Sequence, residues 1–148
     1  MPSAVMVCPA VPDSINDHEN PPMSDPRPTV LYDGGCALCR KEIGHYMRLD
    51  SKGRLRWEDI HADRDIPTRH GLGWEDTMMR LHVVEAGGGI RTGAHAFAAI
   101  WDRLPGYRWL SRVLRAIPGM LGLIDAAYTR FARWRWRRRC ETGTCVIR

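Results

Sequence analysis

The stretch Thr29-Val30-Leu31-Tyr32-Asp33-Gly34-Gly35-Cys36-Ala37-Leu38-Cys39 decides how this chain folds. Four β-favouring residues, Thr29 to Tyr32, are stopped by Asp33, Gly34 and Gly35, which reads as a strand followed by a turn. From Cys36 to about Leu49, Cys36, Cys39, Ile43, Tyr46 and Met47 recur at three- and four-residue spacing, which predicts a helix. Two sulfurs therefore open a helix, at the end where unpaired N–H groups and the macrodipole favour an anion.

Working outward, Leu55 and Trp57 alternate with Arg54, Arg56 and Glu58, the pattern of a strand with one buried face. Strand, helix and strand make a crossover unit, which is right-handed and lays its helix on one face of the sheet. Residues 62–75, broken by Pro67, Gly71 and Gly73, carry no clear period. Met79, Leu81 and Val83 then alternate with Arg80 and His82, and Gly87 to Gly89 supply a turn before Ile90, Arg91 and Thr92, which predicts a hairpin. A helical stripe follows through Ala94, Phe97, Ala98, Trp101 and Leu104 and ends at Pro105 and Gly106. Two more helical stretches, one with Leu110, Val113, Leu114 and Ile117 and one with Leu121, Ile124, Ala127, Tyr128 and Phe131, are expected to cover the core. The fold class is α/β, a βαβ unit followed by ββα, with additional C-terminal helices. No repeat at a period of 20 to 50 residues is present, which sets solenoids and propellers aside.

The chain has 148 residues, 44% hydrophobic and 26% charged, the range of an ordinary globular domain. One domain is expected over residues 29–140. Residues 1–28, rich in Pro, Ser, Asp and Asn and without a period, are expected to be a disordered leader, and residues 141–148 a flexible tail. No apolar run approaches the roughly 20 residues that cross a bilayer. The first 28 residues hold seven prolines and several acidic groups instead of a basic start and an apolar segment, so the expected location is cytoplasmic. Five cysteines, an odd count, argue against a fully paired secreted framework and turn attention to a close pair that does catalysis or binds metal.

Thiol–disulfide exchange proceeds through a thiolate. Cys36, in the first helical turn, is the candidate nucleophile, and Cys39, one turn later, the resolving thiol; Ile43 and Met47 nearby mark Cys39 as the more buried sulfur. Arg40, four residues after Cys36, is a candidate source of positive potential. Asp33 has two roles open to it, taking a proton from a cysteine or bonding to the amides of the turn. This chemistry requires no bound cofactor or metal, and its partner is a protein or low-molecular-weight thiol or disulfide.

Other readings stay open at this stage. The two thiols can simply pack as small hydrophobes, or join Cys140 and Cys145 in a structural zinc site. Cys140 and Cys145 can also form a second redox pair, whereas Cys8 lies in the expected leader. His45, His61, His70, His82 and His95 show no paired ligand spacing. Much of the net charge of +5 comes from Arg130, Arg133, Arg135, Arg137, Arg138 and Arg139. Interleaved with Trp134 and Trp136, these arginines fit either a solvated helix end or a contact with an anionic membrane surface or nucleic acid, the mark of a non-enzymatic binding module.

The segment Tyr32 to Cys39 resembles the Y-D-G-x-C-x-x-C signature of the DCC family of thiol-disulfide oxidoreductases, named for its D-x-x-C-x-x-C pattern, with Asp33, Cys36 and Cys39 at the matching positions. The likeness runs on through the hairpin, Thr92 to Phe97, and Leu104 to Tyr107 toward the last helix, covering about residues 29 to 140. It implies a thioredoxin-like fold and an oxidoreductase. Thioredoxins proper carry a cis-proline before the third strand, facing the dithiol; here Thr77, Met78 and Met79 precede that strand.

Overall fold

Val30 and Leu31 are adjacent in the first strand, point to opposite faces, and are both fully buried. That strand, β1 (Thr29–Tyr32), therefore lies inside a sheet covered on both sides. The computed structural model describes residues 25–141; the expected leader up to residue 24, the expected tail from residue 142, Cys8 and Cys145 lie outside the described residues. After β1 come α1 (Ala37–Leu49), β2 (Arg56–Asp59), α2 (Ile66–Arg69), α3 (Trp74–Met79), β3 (His82–Val84), β4 (Ile90–Thr92), α4 (Ala94–Trp101), α5 (Arg108–Ala116) and α6 (Met120–Glu141).

The sheet order is β2-β1-β3-β4. β1 runs parallel to β2, with Val30 beside Trp57, and antiparallel to β3, with Val30 beside Val83. β3 and β4 form the expected hairpin, in which Gly88 takes a positive φ of 81° and Glu85 N–H donates to the Gly89 carbonyl at 2.7 Å. A βαβ unit followed by an antiparallel hairpin and a helix is the thioredoxin-like arrangement, and the chain has it.

Val30 enters a cluster with Ile43, Tyr46, Leu55, Val83, Ile100 and Leu104, filled from α1 and α4. Leu31 enters a second with Ile60, Ile66 and Met78, against which Trp136 packs. The aperiodic stretch 62–75 contributes to this second layer: Pro67 opens the short α2, Gly71 turns the chain with φ of 70°, and α3 follows. Because α3 continues to Met79, the strand predicted from that residue begins three residues later.

Both C-terminal helices depart from their expected faces: on α5 and at its end, Val113 and Ile117 are exposed and Ser111 is the buried residue, and α6 departs further. Ile124 and Tyr128 turn inward, but Ala127 and Phe131 are exposed, and the inner side of α6 is carried instead by Asp125, Tyr128, Ala132, Arg135, Trp136 and Arg139. Most of this face is polar, so α6 is held by directed contacts. The Tyr128 hydroxyl accepts from Leu81 N–H at 3.2 Å, and the Asp125 carboxylate accepts from Arg80 at 2.8 and 2.9 Å and from Ala94 N–H at 2.9 Å. No helix among the described residues is long and apolar enough to cross a membrane.

Candidate active site

The dithiol sits where β1 gives way to α1. Three side-chain contacts shape the turn: Asp33 Oδ1 accepts from Gly35 N–H at 2.9 Å, and Asp59 Oδ1 accepts from both Gly34 N–H and His61 N–H at 2.9 Å. A Cβ on Gly34 would overlap the Asp59 carboxylate, so this position needs glycine for close approach. The Cys36 N–H then donates to the Asp33 carbonyl at 3.2 Å, which folds the chain back into helix geometry.

Cys36 is the N-cap of α1. Its backbone is extended (φ −91°, ψ 118°), and its Sγ accepts from the Cys39 N–H at 3.4 Å. A sulfur in this position does what a serine or aspartate oxygen does at other helix starts, and it does so best as a thiolate. The helix thus begins at Ala37, one residue after the predicted start.

The positive charge at the sulfurs comes from the far end of the chain. Arg135 Nη1 lies 2.8 Å from Cys39 Sγ and 3.7 Å from Cys36 Sγ, while its Nη2 donates to the Met78 and Met79 carbonyls at 3.4 and 3.0 Å. Arg135 therefore ties α6 to the segment before β3 and lies over both thiols. The Arg40 guanidinium is turned away to the Gly34 carbonyl at 3.0 Å. One helical turn beyond Arg135, Arg139 forms an ion pair with the buried Asp33.

The two thiols are driven apart in acidity. The Cys39 thiol donates to Cys36, the Cys39 N–H and the Arg135 charge add to this against the cost of burial, and the Cys36 pKa falls from 9.0 to about 5. The same hydrogen bond, with burial, pushes the Cys39 thiol far up. The reduced pair thus holds one negative charge, on Cys36, and one proton, on Cys39.

Asp33, Cys36 and Cys39 place their donor atoms within 4.8 Å of one another. The turn-bonding role of Asp33 is present in its contact with Gly35, and a carboxylate oxygen of Asp33 lies within 4.8 Å of both sulfurs. Cys140 is exposed and stands outside this group, and Cys145 lies outside the described residues. The order of burial is the reverse of that expected: Cys36 is 7% exposed, Cys39 only partly covered. Ile43 lines the same cleft as Cys39, while Cys36 lies where the turn closes back through its N–H to the Asp33 carbonyl.

Arg135 and Arg139 escape a reading by composition because arginines crowd that whole segment. The available signal is positional. Tyr128, Ala132, Arg135 and Arg139 are spaced by four, three and four residues, which places them on one stripe of a helix.

A family model described as DCC1-like thiol-disulfide oxidoreductase matches residues 30–141. A curated relative, an uncharacterized chloroplastic protein of Arabidopsis thaliana, is 27% identical over 124 residues, which is 82% of this chain and 56% of that protein; the chain spans about half the length of this relative. No solved structure matches the chain at a significant level. The match begins inside β1 and ends with α6, so it takes in the helix-capping dithiol and both arginines that α6 brings to it, and on that extent the chain belongs to the DCC1-like thiol-disulfide oxidoreductase family.

Proposed function

We propose that this protein catalyses reversible thiol–disulfide exchange, with Cys36 as nucleophile and Cys39 as resolving thiol. The observation that carries this reading is the split in acidity: Cys36 is an N-cap sulfur under Arg135 with a pKa of about 5, and Cys39 beside it keeps its proton. A thiolate at neutral pH next to a protonated partner is the starting state that exchange requires.

In the forward direction the Cys36 thiolate attacks one sulfur of a substrate disulfide. A Cys36–substrate disulfide forms, and the other half of the substrate leaves as a thiolate that takes a proton from solvent. Asp33, within 4.8 Å of both sulfurs, takes up the proton of Cys39. The Cys39 thiolate then attacks Cys36 Sγ, the Cys36–Cys39 disulfide forms, and the second substrate half departs as a thiolate that takes the proton held by Asp33, which returns Asp33 to its carboxylate form. The substrate has gained two electrons and the dithiol has lost two; an external thiol reverses the sequence and restores it. The substrate is a protein or low-molecular-weight disulfide.

Thiol trapping across glutathione redox buffers tests this directly. The expected result is a reversible two-electron transition that is lost in both Cys36→Ser and Cys39→Ser. A pair that never forms a disulfide, or that binds zinc stoichiometrically instead, overturns it.

A further inference from the structure

Six of the eight large hydrophobic side chains exposed among the described residues belong to the C-terminal helices and the turn between them. On α5 and its end, Trp109, Val113 and Ile117 follow one another at four-residue spacing, which makes a single outward apolar stripe. On α6, Leu123, Phe131 and Trp134 face away from the dithiol, with Leu123 69% and Trp134 53% exposed. Its α6 part is the outer side of a helix whose inner side holds Arg135 and Arg139.

Basic groups are interleaved with these side chains. Arg130, Arg133 and Arg137 are exposed, and among the described residues none of their side chains makes an ion pair or hydrogen bond. With Phe131 and Trp134 they line an open groove of about 880 Å³, and the Arg138 guanidinium lies 5.1 Å from the Trp134 ring centre. Arg108 and Arg112 repeat the pattern on α5, exposed and likewise without an ion pair among the described residues.

We propose that the outward face of α5 and α6 docks on an anionic phospholipid membrane. Indole and phenyl rings settle at the headgroup level, guanidinium groups pair bidentately with phosphate, and aliphatic side chains such as Leu123 and Val113 reach the acyl boundary. The protein lies on such a surface without crossing it, since no helix among the described residues suits a span. Charge favours this occupant over a second copy of the chain, which would set unpaired arginines against unpaired arginines. The aliphatic share of the face favours it over RNA, because a single-strand platform gains from aromatic planes on which bases stack and gains nothing from exposed leucine or valine. The proposal is independent of the dithiol chemistry.

The test is co-sedimentation of the full chain with vesicles of phosphatidylglycerol and phosphatidylcholine in equal parts, against vesicles of phosphatidylcholine alone. Binding to the first and not to the second is expected, with a steep fall as salt is raised. The triple variant Arg130→Glu, Arg133→Glu, Arg137→Glu is expected to weaken binding by about a hundredfold or more. A separate variant, Leu123→Ser with Trp109→Ser, is expected to weaken it while keeping the salt dependence. Thermal melting and the dithiol midpoint show that both variants remain folded and redox-competent. Failure of the full chain to bind the anionic vesicles overturns the proposal, as does undiminished binding by a folded triple variant. Displacement from the vesicles by an equal phosphate concentration of polyuridylate also overturns it and assigns the face to nucleic acid. Should a variant not fold, the two vesicle types and the polyuridylate competition decide on the wild-type chain alone.

Discussion

Arg135 donates to Cys39 Sγ across 2.8 Å although 96 residues separate the two in the chain. The contact makes the acidity of the dithiol a property of tertiary structure as well as of the helix start. The Cys36 N-cap bond is local and survives loss of α6 contacts; the guanidinium does not. Arg135→Ala is therefore expected to raise the midpoint of Cys36 alkylation, followed by iodoacetamide rate against pH, from about 5 upward by about 1 to 2 pH units. Arg135→Lys should fall between the two, because a single ammonium keeps the charge but cannot reach the sulfurs and the Met78 and Met79 carbonyls at once. An unchanged midpoint in Arg135→Ala would show that the helix start alone sets the thiolate.

A depressed folded pKa also makes the reduced protein's stability depend on pH, with a definite sign. Between about 5 and 9.0 the folded chain carries the Cys36 thiolate while the unfolded chain carries the thiol, so unfolding takes up a proton and is penalised more as pH rises. The contribution of Cys36 is thus complete above pH 9 and gone below pH 5. Below pH 8 Cys39 holds its proton in both states and adds no slope, because its folded pKa is raised. Urea unfolding of the reduced protein, minus that of Cys36→Ser, is expected to show a difference that shrinks steadily from pH 8 to pH 5 and is flat below. The subtraction removes His82, whose buried ring is held below its usual pKa and weakens either protein alike as pH falls. A pH-independent difference would mean that Cys36 is protonated in the folded state.

How much of this was legible before the structure follows from the range of the interactions. β1 and the dithiol helix are encoded within about twenty residues: β-branched residues, an Asp-Gly-Gly stop, then a three- and four-residue apolar period. All of that is local, and all of it is present in the fold. The stretch 62–75 defeats period counting because its two helices have only four and six residues, too short for a repeat to show. For α6, the apolar stripe predicts the inner face, whereas the inner face is largely polar and each polar group answers a specific partner elsewhere: Asp125 to Arg80 and Ala94, Tyr128 to Leu81, Arg135 to the cysteines, Arg139 to Asp33. Hydrophobic periodicity carries no information about a face held together in that way.

Gly34 and Gly35 look interchangeable in sequence, yet the structure separates them. A side chain on Gly34 collides with the Asp59 carboxylate, which cannot swing away without releasing the N–H groups of Gly34 and His61. One on Gly35 meets first the His61 ring, a 53% exposed side chain that can turn outward at the loss of one 3.8 Å contact with Asp33. Gly34→Ala is expected to lower stability by about 1–3 kcal/mol in urea unfolding, and Gly35→Ala by under about 1 kcal/mol. Equal losses would contradict this account of the turn.

Asp125 is the point where stability and dithiol acidity meet. α4 starts at Gly93, which has φ of 57° and no side chain with which to cap the helix, so the cap comes from α6: the Asp125 carboxylate accepts from Ala94 N–H and also neutralises Arg80. Asp125→Ala strips the cap and leaves Arg80, whose Nε is already buried without a partner, with no acceptor for its Nη2. A loss of about 2 kcal/mol is expected for the cap and the charged hydrogen bonds together. Because Asp125 is one of the directed contacts that seat α6, the same substitution loosens Arg135 over the sulfurs, and the Cys36 alkylation midpoint should rise in the direction of the Arg135→Ala value. Asp125→Asn keeps one acceptor for Ala94 and should restore part of the stability and most of the midpoint. If Asp125→Ala lowers the melting temperature and leaves the Cys36 midpoint at about 5, then Tyr128 and Arg139 suffice to hold α6 in place, and the anchor at α4 serves the fold alone.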